Sequence, residues 1–320
     1  MAAPNALIAG EALVDMFPTT GGRLADVETF ERRAGGAPAN LAVAMTRLGE
    51  APFLWTRLGK DPFGQHLEDV LNEQDVPDRF VEVDPNRKTA HTLVGDDPEA
   101  DQSFVFYKEE TATMAMGSGT VPDETLADIG WVHFGGVMLC EAKPRGAMLD
   151  LAERAGEQGC IVSFDPNTRI DLWPDQSKLE PTMREALGLA DVVKTDREDL
   201  SFLLEDQTAS LEDIARELTT YGPHTVFLTQ GKDGTFAYAT GDAPWDATTV
   251  DQPSFEVTAV DTTGAGDAFT AGAITSLLEG NSLGETVRFA NAVGALATTE
   301  TGAMAPLPRR EAVEELLESA

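Results

Sequence analysis

The sequence predicts an α/β fold in which a mostly parallel central sheet is covered by helices on both faces. Three observations carry this expectation. From Trp131 onward, short apolar runs alternate with amphipathic stretches, the pattern of repeated βα units. Residues 265–278 and 283–298 then read as two long helices rich in Ala and Gly, small residues that permit close packing or close approach to a ligand. Finally, two segments at approximately 14–33 and 90–108 break the rhythm and suggest a small sheet projecting from the main body.

Taken in order, apolar Leu7-Ile8-Ala9 belongs to a first strand that ends near Asp15, and Gly35-Gly36-Ala37-Pro38-Ala39-Asn40 opens a helix running to Leu48-Gly49. His91-Thr92-Leu93-Val94 and Ser103-Phe104-Val105-Phe106-Tyr107 read as antiparallel strands joined by the acidic turn Gly95-Asp96-Asp97-Pro98-Glu99. Strands are expected at 131–134, 160–164, 191–193 and 224–229, with helices at 143–158 and 178–189 between them.

The chain has 320 residues, 42% of them hydrophobic, enough for one large α/β domain or two smaller ones. No internal repeat, low-complexity linker or composition shift marks a second unit, so residues 1–320 read as one domain. The N-terminus lacks a basic stretch followed by an apolar signal core, and no apolar run approaches the roughly 20 residues of a spanning helix. A cytoplasmic protein with no membrane partner is therefore expected. Cys140 and Cys160 have no companion pair or His cluster and read as buried thiols. The net charge of −32 comes from 55 acidic against 23 basic residues. Acids spread over the whole chain suit a surface adapted to concentrated salt, where mobile ions screen self-repulsion. Such a surface repels a phosphate backbone, so nucleic acid is excluded as a partner.

The most informative stretch is Asp261-Thr262-Thr263-Gly264-Ala265-Gly266-Asp267, leading into a helix. Glycines before a helix expose N–H groups at the positive end of its dipole, forming an anion hole at Gly264, Ala265 and Gly266. Asp267 falls in the first turn. If the anion is the γ-phosphate of ATP, this carboxylate is placed to take a proton from an incoming hydroxyl. The other reading is that Asp267 only stabilises its helix. No segment matches G-x-x-x-x-G-K-[ST], and Phe269 stands where a dinucleotide fingerprint needs its third Gly. In the N-terminal part, Asp15 and Asn40 offer a carboxylate and a carboxamide to one polar ligand, as sugar sites do.

Gly35-Gly36-Ala37-Pro38-Ala39-Asn40 with Gly59-Lys60-Asp61-Pro62-Phe63-Gly64, and Asp261-Thr262-Thr263-Gly264-Ala265-Gly266-Asp267 far downstream, resemble the two signatures of the ribokinase-like (PfkB) carbohydrate kinases. The resemblance spans nearly the whole chain. It implies a three-layer α/β/α sandwich with a small β-lid, contributed by segments 14–33 and 90–108, closing over the sugar. Gly10-Glu11-Ala12-Leu13-Val14-Asp15, Phe104-Val105-Phe106-Tyr107-Lys108 and Asp165-Pro166-Asn167-Thr168-Arg169 are similar to fructokinases in particular. The resemblance then implies that Asp15, Gly36, Asn40, Tyr107 and Arg169 meet the sugar, and that Lys194, Thr229, Gly231, Gly234 and Asn291 line the ATP site. It also implies a monovalent cation, potassium, at Asp261, Thr263 and Gly302, and a homodimer formed through the β-lid.

Two departures from the family pattern matter. Asp196 and Asp199 stand where the family usually carries Asn or Ser and then Glu, and they keep oxygen ligands suited to Mg2+ through water. Lys108 replaces an Arg whose fork would grip a carboxylate, which argues for fructose over an acid sugar such as 2-keto-3-deoxygluconate. A nucleoside kinase, or a binding regulator of the same fold, are the remaining readings. A regulator gains nothing from a desolvated carboxylate facing a phosphate.

The charge pattern makes a prediction of its own. Melting temperature and activity are expected to rise with potassium chloride well beyond ordinary buffer, because screening relieves repulsion among the acids. A melting temperature that stays flat from low to molar salt would contradict the salt-adapted surface.

Overall fold

Leu7 and Ile8 are both fully buried, yet they enter different cores, because successive side chains of a strand point to opposite faces of its sheet. The structure is a computed structural model that describes residues 3–95, 104–204, 206 and 208–319. The N-terminal half comprises β1 (Ala6–Ala9), β2 (Leu13–Pro18), β3 (Phe30–Gly35), α1 (Ala37–Arg47), β4 (Phe53–Gly59), α2 (Pro62–Glu73), β5 (Val81–Asp84), β6 (His91–Val94), β7 (Phe104–Tyr107), α3 (Asp123–Ala127) and β8 (Trp131–Gly135). There follow α4 (Ala142–Glu157), β9 (Ile161–Asp165), α5 (Leu179–Leu189), β10 (Val192–Thr195), α6 (Leu211–Thr219), β11 (Thr225–Thr229), β12 (Thr235–Ala239), β13 (Thr248–Gln252), α7 (Ala265–Leu278), α8 (Leu283–Leu296) and α9 (Arg310–Ser319).

The main sheet runs β13-β12-β11-β10-β9-β8-β1-β4-β5. Neighbours from β5 to β11 are parallel, and β12 and β13 close one edge antiparallel. Trp55, Phe134 and Phe164 pack against Met148 and Leu151 of α4 on one face. Trp131 and Phe227 pack against Met45 of α1, Ile274 of α7 and Val293 of α8 on the other. The three layers match the fold class expected from the alternation, and the expected strands and helices from 131 to 296 appear as β8 to β11, α4, α5, α7 and α8. From β1 the chain travels outward to β4 and β5, then returns to β8 on the other side of β1. That reversal opens a crevice beyond the carboxyl ends of β1 and β8, where open α/β sheets bind ligands.

A second sheet, ordered β3-β2-β6-β7, is drawn from the two segments that broke the rhythm. The antiparallel pairing of β6 with β7 agrees with the expectation, while Ser103 and residues 96–99 of the acidic turn lie outside the described residues. The first strand is a correction: β1 stops at Ala9, and Asp15 belongs to β2 in the second sheet. Residues 10–12, Gly-Glu-Ala, carry the chain from one sheet to the other, so reading 7–15 as one strand passes over the break at Gly10-Glu11.

Helix ends follow local chemistry. Asp61 caps α2 by accepting from the Phe63 and Gly64 N–H groups, each at 3.0 Å, with Pro62 next to it. Ser282 and Glu285 form a reciprocal capping box on α8. The small residues of α7 and α8 are used for close packing: a Cβ at Gly272 would lie 2.9 Å from Ala290 Cα. Among the described residues, no helix is long and apolar enough to cross a membrane.

Candidate active site

The crevice is floored by the chain segments that leave the carboxyl ends of β1, β8 and β9. It is lined by Glu11, Ala37, Gly135, Asp165, Asn167 and Asp267, among others. Asp267 enters from the first turn of α7, behind Gly264, whose φ of 79° is left-handed and suits a residue without a Cβ. Asn40, buried in α1, donates from Nδ2 to Asp267 Oδ2 at 2.8 Å. Its Oδ1 is buried and has no partner. Burial pushes the Asp267 carboxyl up to about 7, against the pull of Asn40 and of Lys194.

Asp15 is buried on β2, and burial followed by the charge of Asp267 pushes it up to about 7 as well. The paired glycines have a specific reason. A Cβ on Gly35 would collide with the Asp15 carboxylate, and one on Gly36, where φ is 101°, would lie 2.6 Å from the Glu11 carbonyl oxygen. The pair thus makes room for the protein's own groups beside the cleft.

A second set of charges lies deeper. Lys194 Nζ donates to Asp165 Oδ2 at 3.0 Å and would be 3.0 Å from a Cβ placed on Gly266. Burial alone would pull this ammonium down, but Asp165, Asp199 and Asp196 hold it well above its ordinary value. Asp199 Oδ1 accepts from Thr168 N–H at 2.6 Å and stands 3.7 Å from Arg169 Nη1. Burial, then Asp165 and Asp196, push Asp199 up to about 7. Asp196 Oδ1 accepts from Asp199 N–H at 2.8 Å. Among the described residues no group of three acidic, His or Cys side chains forms a ready metal cage. A pair of hard oxygen donors still fits Mg2+, which keeps several waters and binds through one or two carboxylates plus substrate phosphates.

The remaining expected residues fall into four places. Thr229, Gly231 and Gly234 lie at the turn from β11 to β12, where Gly231 is open to its surroundings. The Asn291 carboxamide is engaged by protein: Oδ1 accepts from Thr235 at 2.7 Å, and Nδ2 donates to Gln252 O at 3.1 Å. It therefore holds the segment after β13 against β12. Asp261 bridges the other two residues of the expected cation site, Oδ1 accepting from Thr263 N–H at 2.9 Å and Oδ2 from Gly302 N–H at 2.8 Å. Thr263 Oγ1 is buried without a partner, and Arg33 of β3 donates to the neighbouring Thr301 carbonyl. Tyr107 is 47% exposed, its ring stacked on His91 at 4.8 Å. Lys108 is buried with Nζ 3.3 Å from Cys140 Sγ and 3.5 Å from Glu141 Oε1.

Two cleft residues had escaped the sequence reading. Asp165 ends β9 and Glu11 lies two residues beyond the end of β1, and an acid at the end of an apolar run was the available signal.

The architecture is that of the ribokinase-like kinases. The pattern described as pfkB family carbohydrate kinase matches residues 4–310. Fructokinase-1 of Zea mays is 34% identical over 333 residues, covering 100% of both chains. A fructokinase of Xylella fastidiosa solved with bound ATP superposes with a TM-score of 0.89 at 30% identity over 99% of each chain. A variant fructokinase of Vibrio cholerae O395, solved with fructose, ADP and potassium ion bound, gives a TM-score of 0.84 at 29% identity over 98% of each. The chain belongs to the pfkB family of carbohydrate kinases.

The raised Asp267 carboxyl has a consequence for stability. Folding favours its protonated form, so its contribution is fully present below the unfolded value near 3.8 and is lost as pH rises through about 7. Asp267→Asn removes this titration. In the free protein, the melting temperature of the variant relative to wild type is expected to be higher at about pH 8 than at about pH 5, by the equivalent of roughly 1 kcal/mol or more. Calorimetry at both pH values checks this, and an identical difference at the two would contradict it.

Proposed function

We propose that the protein transfers the γ-phosphoryl group of ATP to a hydroxyl of a ketohexose, fructose, with Asp267 as the general base. The observation that carries this reading is the placement of Asp267, in the first turn of a helix behind Gly264-Ala265-Gly266, with its carboxyl held near neutrality. A base with a pKa near the operating pH combines the right ionisation with a useful driving force. Asn40 orients the carboxylate from one side. The sugar hydroxyl gives its proton to Asp267, its oxygen bonds to the γ-phosphorus, and the bond to the bridging oxygen of ADP breaks. Ala265 N–H already donates to Thr262 O at 3.2 Å, so the Gly264 and Gly266 N–H groups are assigned to the transferring phosphoryl.

In this reading Asp15 and Asn40 bind sugar hydroxyls, Arg169 approaches the transferring phosphate, and the Thr229–Gly234 turn receives the nucleotide, with Gly231 presenting open backbone. Asp196 and Asp199 would hold magnesium through water, and the ion when bound neutralises charge on the phosphates. Asp261 and Thr263 would hold potassium, to which the buried, unpartnered Thr263 Oγ1 is suited. The second sheet acts as the lid. The relatives named above, fructokinases seen with ATP, or with fructose, ADP and potassium, support the choice of substrates.

Two outcomes follow. Asp267→Asn is expected to fold and bind ATP while kcat falls by roughly 10²- to 10⁴-fold, and wild-type kcat/KM is expected to fall as pH drops below about 7. Activity within a few-fold of wild type would remove Asp267 from the chemistry. Fructose is expected to exceed 2-keto-3-deoxygluconate in kcat/KM by about tenfold or more. Lys108 is directed to Cys140 and Glu141 and does not supply the clasp an acid sugar needs. A wild-type preference for the acid sugar in a paired assay would overturn fructose and leave the kinase.

A further inference from the structure

Glu11 is assigned no role by the proton transfer just described, yet it lines the same cleft as Asp267. It is 4% exposed, and its Oε2 is buried without any hydrogen-bond partner. An unmet buried oxygen is unfavourable, and a hydroxyl brought into the cleft would satisfy it. Asn40 Oδ1, on the residue that orients Asp267, is unmet in the same way. Both atoms can take a hydrogen bond from a hydroxyl, and a molecule dense in hydroxyls satisfies them together.

We propose that Glu11 is a sugar-binding residue whose side chain hydrogen-bonds a hydroxyl other than the one phosphorylated. This deepens, and rests on, the sugar-kinase reading above. The groups around Glu11 favour a neutral ligand. Burial, reinforced by Asp267, pushes its carboxyl up to about 8, while main-chain N–H groups of Glu11 and Ala37 and the charge of Arg169 pull it down. Cys140 is also close enough to feel its charge, with Lys108 beside that thiol. At neutral pH Glu11 is thus mainly the protonated acid, which donates to one sugar oxygen and accepts from another hydroxyl without presenting a bare charge. A sugar hydroxyl supplies both halves of that exchange.

The test is steady-state kinetics of wild type, Glu11→Gln and Glu11→Ala with fructose at saturating ATP. Glu11→Ala is expected to raise the sugar KM about 10- to 100-fold with kcat within about fivefold and the ATP KM unchanged, the pattern of lost ground-state binding. Glu11→Gln, whose amide donates and accepts, is expected to stay within about fivefold of wild type. An unchanged sugar KM in Glu11→Ala, a loss confined to kcat, or a Glu11→Gln as impaired as Glu11→Ala would each overturn the proposal. Should Glu11→Ala fail to fold, singly deoxygenated fructoses on wild type and Glu11→Gln provide the second measurement. One such analogue must lose affinity for wild type by about tenfold or more, and a series with no such loss overturns the role. Wild type inactive on every sugar would refute the sugar-kinase reading itself, whereas active wild type with unaltered Glu11→Ala refutes only this assignment.

Discussion

The hydrogen bond from Asn40 to Asp267 joins residues 227 positions apart, and much of the molecule is arranged so that it can form. Asn40 is in the first turns of α1 and Asp267 in the first turn of α7, and both helices cover the same face of the main sheet. Their N-terminal ends converge above the crevice left by the reversal at β1. One carboxamide then has two distinct ends: its amide nitrogen fixes the carboxylate, and its oxygen is buried without a protein partner. Placing an acid here costs desolvation, and the result is a carboxyl that titrates near neutrality.

How much of this was legible beforehand can be judged residue by residue. The alternation of apolar runs disclosed β8 to β11 because each is a buried parallel strand with its own composition. Asp267 was legible as a candidate base because the signal is local, in glycines that precede a helix. Asp15 was legible as a polar group but placed on the wrong strand, since the break at Gly10-Glu11 is short and apolar residues resume at once with Ala12-Leu13-Val14. Glu11 was overlooked because its environment is built by α1 and α7 together with Arg169, none of which is near it in sequence order. Gly36 was expected to meet the sugar on the strength of the family resemblance. The structure shows that a Cβ on Gly35 would meet Asp15 and one on Gly36 the Glu11 backbone, which only tertiary contact reveals.

The acids of this chain divide into two populations. Most add to the net charge of −32 and are distributed over the sequence. Glu11, Asp15, Asp199 and Asp267 instead are crowded by protein and have carboxyls raised to about 7 or 8. The formal count treats these four as ionised, so it overstates the charge inside the crevice near neutral pH. Repulsion at the surface is relieved by salt, whereas that among the crevice acids is relieved by protons, by Lys194 and by Arg169.

The contact of Gly272 with the backbone of Ala290 bears on mechanical tolerance. The joint is closed by the Ala290 main chain and by the Val293 side chain, whose Cγ2 would lie 3.0 Å from a Cβ placed on Gly272, and so close a packing leaves α7 a rod with little slack against its neighbour. Any side chain added at that joint would displace the rod as a whole, and the displacement would travel along its axis to the turn that carries Asp267. Misplacement of a reacting group by about 1 Å is enough to reduce turnover about a hundredfold. In the proposed reaction the aim of the acid then depends on a glycine five residues further along the same helix.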